Sequence, residues 1–203
     1  MITLHFSSNS RSQRVLWLLE ELELPYKLNK IKFHPSELKS EEHRKRHPLG
    51  RVPVLEDKDV TIFESGAIIE YIIAKYDRKG LKPSVDSDIF PAYLQWYHYC
   101  EGMVMPPMNT IVVHTLILPP ERRNPEILRQ AKNLLTKSIL PVDGLLSKNK
   151  FLIKDSISGV DFMLGHSLFM ANNLDCVSDD MKNILRYLEL LNSLKSFNKA
   201  VNT

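Results

Sequence analysis

The sequence predicts an α/β domain with the element order β-α-β-α-β-β-α over residues 1–77 and an all-helical domain over residues 89–203. Two observations predict this division. Short strand-like runs alternate with helix-spaced apolar runs only in the first of these two ranges. Residues 78–88 concentrate glycine, proline, serine and charged side chains, which is typical of a linker, and the rest of the chain keeps helical spacing.

The α/β domain begins with a β-α-β unit. Residues 2–6 predict a strand, and residues 12–23 place valine and leucines at helical spacing until Pro25 ends the helix. Residues 26–32 alternate in hydrophobicity as a second strand. The rule for crossover connections makes these two strands parallel.

The second half of the α/β domain contains a hairpin between two helices. The charged residues 35–47 predict an irregular helix, and residues 64–76 predict a regular one. Between them, residues 52–56 and 60–63 flank the tight-turn sequence Asp57-Lys58-Asp59.

The helical domain has its own start and stop signals. Residues 89–105 predict one aromatic-rich helix that ends at Pro106-Pro107, and a second helix is predicted over 125–147. Further on, Ser158 precedes Asp161 by three residues, which approximates a capping box at the start of another helix.

Composition favours a soluble globular protein and argues against nucleic acid as a partner. The chain of 203 residues is 43% hydrophobic and 25% charged, and its net charge is +3 with a pI of about 8.8. The most basic stretch, residues 43–47, has no aromatic stacking platform, so we expect a solvated helix face there. An RNA-associated adaptor is a weak alternative that rests on this stretch alone.

The two cysteines and the apolar runs indicate the compartment. Cys100 and Cys176 are far apart and lie in neither a C-x-x-C motif nor a metal-ligand spacing, so we expect a reducing compartment and no metal. No apolar run approaches the roughly 20 residues that span a bilayer, and the N-terminus lacks the pattern of a signal peptide. We therefore expect a cytoplasmic protein that does not associate with membranes.

Two short segments predict a cradle for a small peptide. Pro53 follows Val52 at the start of a strand, and a cis bond between them is expected to leave the Val52 N–H and C=O available for pairing with a ligand. Glu64 and Ser65 stand where a strand ends and a helix begins. Because a helix N-terminus presents unpaired N–H groups and partial positive charge, Ser65 is a candidate carboxylate site and Glu64 a candidate partner of a ligand amine.

These segments resemble the glutathione-binding signature of the soluble glutathione S-transferase family. The run from His47 to Leu55 is similar to the common Asn-Pro-x-Gly-x-Val-Pro-x-Leu motif, with histidine in place of the usual asparagine. Residues 9–22 and 99–107 resemble a microbial branch of the family in which serine or asparagine acts on the thiol. The resemblance implies a thioredoxin-like N-terminal domain and glutathione as co-substrate without a further cofactor. It also implies a transferase that conjugates glutathione to electrophiles or reduces organic hydroperoxides in detoxification.

The resemblance also implies a residue that stabilises the glutathione thiolate. His5 stands where some members carry tyrosine, and no cysteine lies near, so a hydroxyl or amide donor at the start of the first helix is expected. Ser10 is the first candidate and Asn9 the second; that Ser10 merely caps the helix is the structural alternative. Arg51 is expected to contact a ligand carboxylate, and Arg11 and Arg14 are more ambiguous candidates for the same contact.

Further expectations concern the second substrate and the assembly. The electrophile pocket is expected to be lined by Phe6, Met103, Met105, Met108 and His114. A homodimer is expected through helices 64–76 and 89–105, which contain the interface-type aromatics Tyr71, Tyr93, Trp96, Tyr97 and Tyr99. The alternative is a non-catalytic interaction or regulatory module of the same fold; retention of Ser10, Pro53, Glu64 and Ser65 favours the enzyme.

Overall fold

The computed structural model describes residues 1–203, which form two compact units. The first unit comprises Met1–Leu81 together with Leu191–Thr203, and the second comprises Lys82–Leu190. The elements of the first unit are β1 (Ile2–Phe6), α1 (Ser12–Glu21), β2 (Tyr26–Lys30), α2 (Pro35–Leu38), α3 (Glu41–Arg46), β3 (Val54–Asp57), β4 (Val60–Phe63) and α4 (Ser65–Tyr76).

The first unit is built on a four-stranded mixed sheet with the order β2-β1-β3-β4. β1 pairs in parallel with β2 in the register Ile2 to Tyr26, whereas β3 runs antiparallel to both β1 and β4. The β3–β4 turn contains Lys58 at a φ of 54°, in the left-handed region that tight hairpins require. This arrangement confirms the predicted thioredoxin-like fold, with two short helices, α2 and α3, where the sequence predicted one irregular helix.

The segment 191–203 completes the first unit by packing on α1. Phe197 of α10 (Lys195–Val201) lies edge-on to Trp17, with ring centroids 4.8 Å apart and both side chains fully buried. Gln13 Nε2 donates to the Val201 carbonyl at 3.1 Å. The sequence pattern predicted that residues 89–203 all belong to the helical domain. The structure groups this segment differently, because its apolar side chains cover the face of α1.

The second unit is helical. Its elements are α5 (Phe90–Tyr99), a π-helical segment (Cys100–Val104), α6 (Met105–Val112), a second π-helical segment (Val113–Ile117), a 3₁₀ turn (Pro120–Arg122), α7 (Pro125–Leu146), a third π-helical segment (Asp161–Gly165), α8 (His166–Asn173) and most of α9 (Lys182–Ser193), whose last three residues belong to the first unit. The predicted α7 is confirmed to within one residue at its end. No helix in the chain is both long enough and apolar enough to span a lipid bilayer.

The prediction that the helix after residue 89 ends at Pro106-Pro107 is wrong. The helix continues through Cys100–Val104 in π geometry, and both prolines fall in the first turn of α6. The Met105 N–H bonds to the Cys100 carbonyl in the i→i−5 pattern, and this π-helical segment accommodates the backbone bonds that the two prolines cannot make.

The predicted capping pair of Ser158 and Asp161 is present. Asp161 Oδ2 accepts from the Ser158 N–H and from the Ser158 hydroxyl, each at 2.8 Å. Its Oδ1 accepts from the Leu152 N–H at 3.1 Å and from the Tyr187 hydroxyl at 2.7 Å. This fully buried carboxylate therefore joins three segments of the second unit.

Candidate functional site

The first unit contains a polar cleft where the chain enters β3 and where α4 begins. The cleft is open to solvent and contains about 270 Å³ of empty space, a volume that includes part of the open solvent; it is lined by Arg11, His47, Arg51, Val52, Pro53, Glu64 and Ser65. Six of these seven residues, all except His47, are candidates from the sequence. The structure therefore brings the two halves of the predicted cradle together.

The wall formed by Arg51, Val52 and Pro53 presents backbone to the cleft. The Val52–Pro53 peptide bond is cis, as predicted. β3 begins at Val54, which pairs with His5 of β1, so Val52 precedes the ladder. No hydrogen bond within the chain uses the Val52 N–H or C=O, so both groups are available to an extended ligand.

The opposite wall is the N-terminus of α4. Glu64 is exposed at a φ of 72°, which is uncommon for a residue with a side chain. Strained backbone of this kind is often found at ligand sites. Ser65 is buried, and its Oγ accepts from Arg14 Nη1 at 3.0 Å. Because a hydroxyl has one hydrogen to donate, Ser65 still has that hydrogen for a ligand carboxylate.

Arg14 lies behind the cleft wall rather than in it. Its side chain is fully buried, and it is not among the residues that line the cleft. Through its hydrogen bond to Ser65 it orients the hydroxyl and places a positive charge behind it. This charge adds to the partial positive charge of the helix N-terminus.

Arg11, an ambiguous candidate from the sequence, lines the cleft, and so does His47, which was not predicted as a site residue. His47 is 4% exposed, and its Nδ1 accepts from the Leu49 N–H at 3.2 Å, which assigns the ring hydrogen of the neutral form to Nε2. Burial lowers the pKa of His47, whereas the nearby Glu64 carboxylate raises it and so partly offsets the effect of burial. The sequence signal for His47 is its departure from the common motif, in which asparagine occupies this position.

The two candidates for the thiolate donor, Ser10 and Asn9, differ in whether their side chains already donate hydrogen bonds within the chain. The Ser10 hydroxyl donates to the Ser7 carbonyl at 2.7 Å, lies 2.8 Å from Ser12 Oγ, and accepts from the Ser12 N–H at 3.1 Å. Its hydrogen is therefore used within the turn before α1. Asn9 is exposed at a φ of 54°, and its side-chain amide makes no hydrogen bond within the chain. Neither side chain lines the cleft itself.

The residues expected to line an electrophile pocket fall in both units. In the first, Phe6 is fully buried in β1. In the second, Met105 and Met108 are buried in α6, whereas Met103 is 51% exposed. His114 is half-buried, and its Nδ1 accepts from the Asn124 N–H at 3.1 Å. No group of three or more histidine, cysteine, aspartate or glutamate side chains is arranged to hold a metal ion.

Comparison with known proteins identifies relatives of the same kind over most of the chain. The family described as "Glutathione S-transferase, N-terminal domain" matches residues 1–74. The "Glutathione S-transferase hmp2" of Hypomyces subiculosus is 32% identical over 167 residues, which cover 79% of this chain and 78% of that protein. The "Glutathione S-transferase 3" of Schizosaccharomyces pombe is 29% identical over 205 residues, which cover 94% of this chain and 83% of that protein.

Solved structures show the same fold. A glutathione transferase homologue from Lodderomyces elongisporus superposes with a TM-score of 0.90 at 18% identity, covering 99% of this chain and 97% of that one. That crystal structure contains two glutathione molecules per subunit. At this identity the likeness establishes the common fold of the two chains.

Proposed function

The chain belongs to the glutathione S-transferase family, and from this premise we propose that it binds glutathione in the polar cleft of its first unit as a thiolate. The thiolate attacks an electrophilic carbon and a C–S bond forms. In a substitution the leaving group departs with its electron pair; in an addition the π-electron pair of the substrate shifts to the neighbouring atom, which then takes up a proton. The observation that supports this proposal most strongly is the meeting of Val52-Pro53 and Glu64-Ser65 in one cleft.

The γ-glutamyl end of glutathione fits the α4 side of the cleft. Its carboxylate takes the Ser65 hydroxyl hydrogen and lies in the partial positive charge of the α4 N-terminus, with the Arg14 charge behind it. Its ammonium group is met by the exposed Glu64 carboxylate. Two adjacent residues thus bind the two charged groups of the γ-glutamyl end: Ser65 donates to the carboxylate, and Glu64 pairs with the ammonium group.

The other end of the tripeptide fits the Arg51 side. The cysteinyl residue pairs with the Val52 backbone, and the glycyl carboxylate is placed near Arg51 and near the Nε2–H of His47. Two arginines, Arg11 and Arg51, line a cleft that has a single carboxylate. This excess of positive charge suits a ligand with two carboxylates.

We place the chain in the serine or asparagine type of the family, with a donor at the N-terminus of α1. The thiol of free cysteine has a pKa of about 8.5, so a hydrogen bond to sulfur is needed to favour the anion at neutral pH. The saturated hydroxyl of Ser10 and the unused amide of Asn9 favour Asn9 as the donor. Asn9→Ala and Ser10→Ala separate the two, because loss of the donor lowers kcat and raises the thiol pKa of bound glutathione.

The electrophile is a small hydrophobic molecule. Among the residues expected to contact it, Met103 and His114 keep exposed surface, whereas Phe6, Met105 and Met108 are buried. An organic hydroperoxide is the second class of substrate. In that reaction the sulfur attacks the O–O bond and an alcohol leaves; a second glutathione then converts the sulfenic acid to glutathione disulfide and water.

Two further features of the proposal concern assembly and location. A homodimer through α4 and α5 uses the half-buried Tyr71 and Trp96 and the exposed Leu94, whereas Tyr93 and Tyr97 are buried in their own chain. Tyr99 is engaged with the Ser138 carbonyl at 2.9 Å. We retain the cytoplasm as the proposed location, in keeping with two buried free thiols.

The test is calorimetric titration of the protein with reduced glutathione, followed by turnover with a halo-aromatic, an epoxide and a hydroperoxide. We expect saturable binding at one site per chain and turnover with at least one of these classes. A suitable control is Lys137→Ala, since this lysine lies in α7 of the second unit, outside the cleft. Binding without any turnover would favour the non-catalytic module, and absence of binding would refute the proposal.

A further inference from the structure

His43 lies behind the Arg51 wall of the cleft. It is 2% exposed on α3, and its Nε2 lies 2.8 Å from the Arg51 carbonyl oxygen. Because a carbonyl oxygen only accepts, the ring hydrogen belongs to Nε2 and His43 is the donor.

The helix that presents His43 is itself held in place. Ser40 caps α3, with its Oγ accepting from the His43 N–H at 3.3 Å. At the other end of the helix, Arg46 Nε donates to Glu56 Oε1 of β3 at 3.1 Å. The imidazole donor is therefore fixed relative to the sheet that supports the cleft.

The bond from His43 determines the direction of a group in the cleft. The Arg51 C=O and the Val52 N–H belong to one planar trans peptide, in which the two groups point in opposite directions. Since His43 holds the carbonyl from the α3 side, the Val52 N–H points away from α3. Val52 lines the cleft, and no hydrogen bond within the chain uses this N–H.

We propose that His43 is a positioning residue for glutathione binding: it fixes the Arg51–Val52 peptide plane so that the Val52 N–H meets a peptide carbonyl of the ligand. This inference rests on the proposed function and extends it to a residue outside the cleft. Without His43, the peptide plane is free to rotate, and the ligand must fix it at the cost of binding free energy.

The test compares His43→Leu, which removes the donor, with His43→Gln, whose side-chain amide reaches about as far as Nε2. We expect His43→Leu to raise the dissociation constant for reduced glutathione about five- to tenfold, with KM raised and kcat retained. His43→Gln should stay within about twofold of the unmodified protein. His5→Leu is the matched control, because His5 is equally buried, lies 6.2 Å from the His43 ring and contacts Asn29 and Glu56 instead of Arg51.

A second measurement reports on the peptide plane itself. In ¹⁵N-labelled protein, loss of the donor should shift the Val52 amide resonance, and His5→Leu should leave that resonance unchanged. If His43→Leu does not fold, His43→Asn against His43→Gln makes the same comparison, since the asparagine amide is too short to reach the carbonyl. Unchanged glutathione affinity in His43→Leu and in His43→Asn would overturn the role of His43 and would leave the proposed function standing. If the unmodified protein does not bind glutathione, the inference and the proposed function both fail.

Discussion

Replacement of Ser65 by alanine removes the hydroxyl on which the carboxylate site depends. In the structure this oxygen accepts from Arg14 Nη1 at 3.0 Å, and its own hydrogen is left for the ligand. The substitution therefore acts on binding and on stability at once. The ligand carboxylate loses a charged hydrogen bond, and a fully buried guanidinium loses an acceptor.

The two effects have different magnitudes that can be measured separately. A hydrogen bond to a charged group contributes about 1.5–3 kcal/mol, which corresponds to a rise in the dissociation constant for glutathione of about 13- to 160-fold. The lost acceptor of Arg14 should lower the free energy of unfolding by about 1–3 kcal/mol. Calorimetric titration gives the first quantity, and urea denaturation gives the second.

Ser65→Thr is the control, because it keeps a hydroxyl at the same position. We expect it to recover most of the affinity that Ser65→Ala loses. If the dissociation constant of Ser65→Ala stays within about twofold of the unmodified value while the protein remains folded, the N-terminus of α4 is not the carboxylate site.

Three other outcomes are expected. Phe197→Ala should lower the free energy of unfolding by about 3–5 kcal/mol in urea denaturation, because it empties a fully buried site against Trp17; a loss below about 1 kcal/mol would contradict the described packing. Burial lowers the pKa values of His5 and His47, so the unfolded chain binds more protons below its histidine pKa of about 6.5, and stability should fall from about pH 7 to about pH 5.5. The double variant His5→Gln, His47→Asn should flatten that pH dependence. An equally steep curve in the double variant would show that these two histidines do not cause it. Sedimentation equilibrium at micromolar protein should give twice the 23.5 kDa chain mass, and a single species at the chain mass would exclude the homodimer.

The order of elements in the first unit could be predicted from the sequence because it depends on local patterns. The strand Ile2–Phe6 has the predicted bounds and the helix Ser65–Tyr76 begins one residue later than predicted, since periodicity and turn residues act over a few positions. The predicted helix end at Pro106 was wrong because that prediction, too, used only local sequence. A proline stops a regular helix, but the π-helical segment before it depends on the packing of the whole second unit.

The cleft could be predicted in part. Pro53, Glu64 and Ser65 belong to short motifs whose chemistry is local, and they meet in one cleft. The state of the Ser10 hydroxyl could not be predicted, because it depends on where the Ser7 carbonyl and Ser12 lie after the turn has folded. His43 is equally hidden from sequence, since its role comes from a contact with a backbone group eight positions away.

The return of residues 191–203 to the first unit has a consequence for biosynthesis. α1 and the sheet are made early, yet the segment that covers Trp17 emerges only after all of Lys82–Leu190 has been translated. Until then an apolar helix face is open to water and to other nascent chains, which is the kind of surface that chaperones recognise. On the ribosome, the α/β unit is therefore expected to wait for the helical unit to be translated before it reaches its final packing.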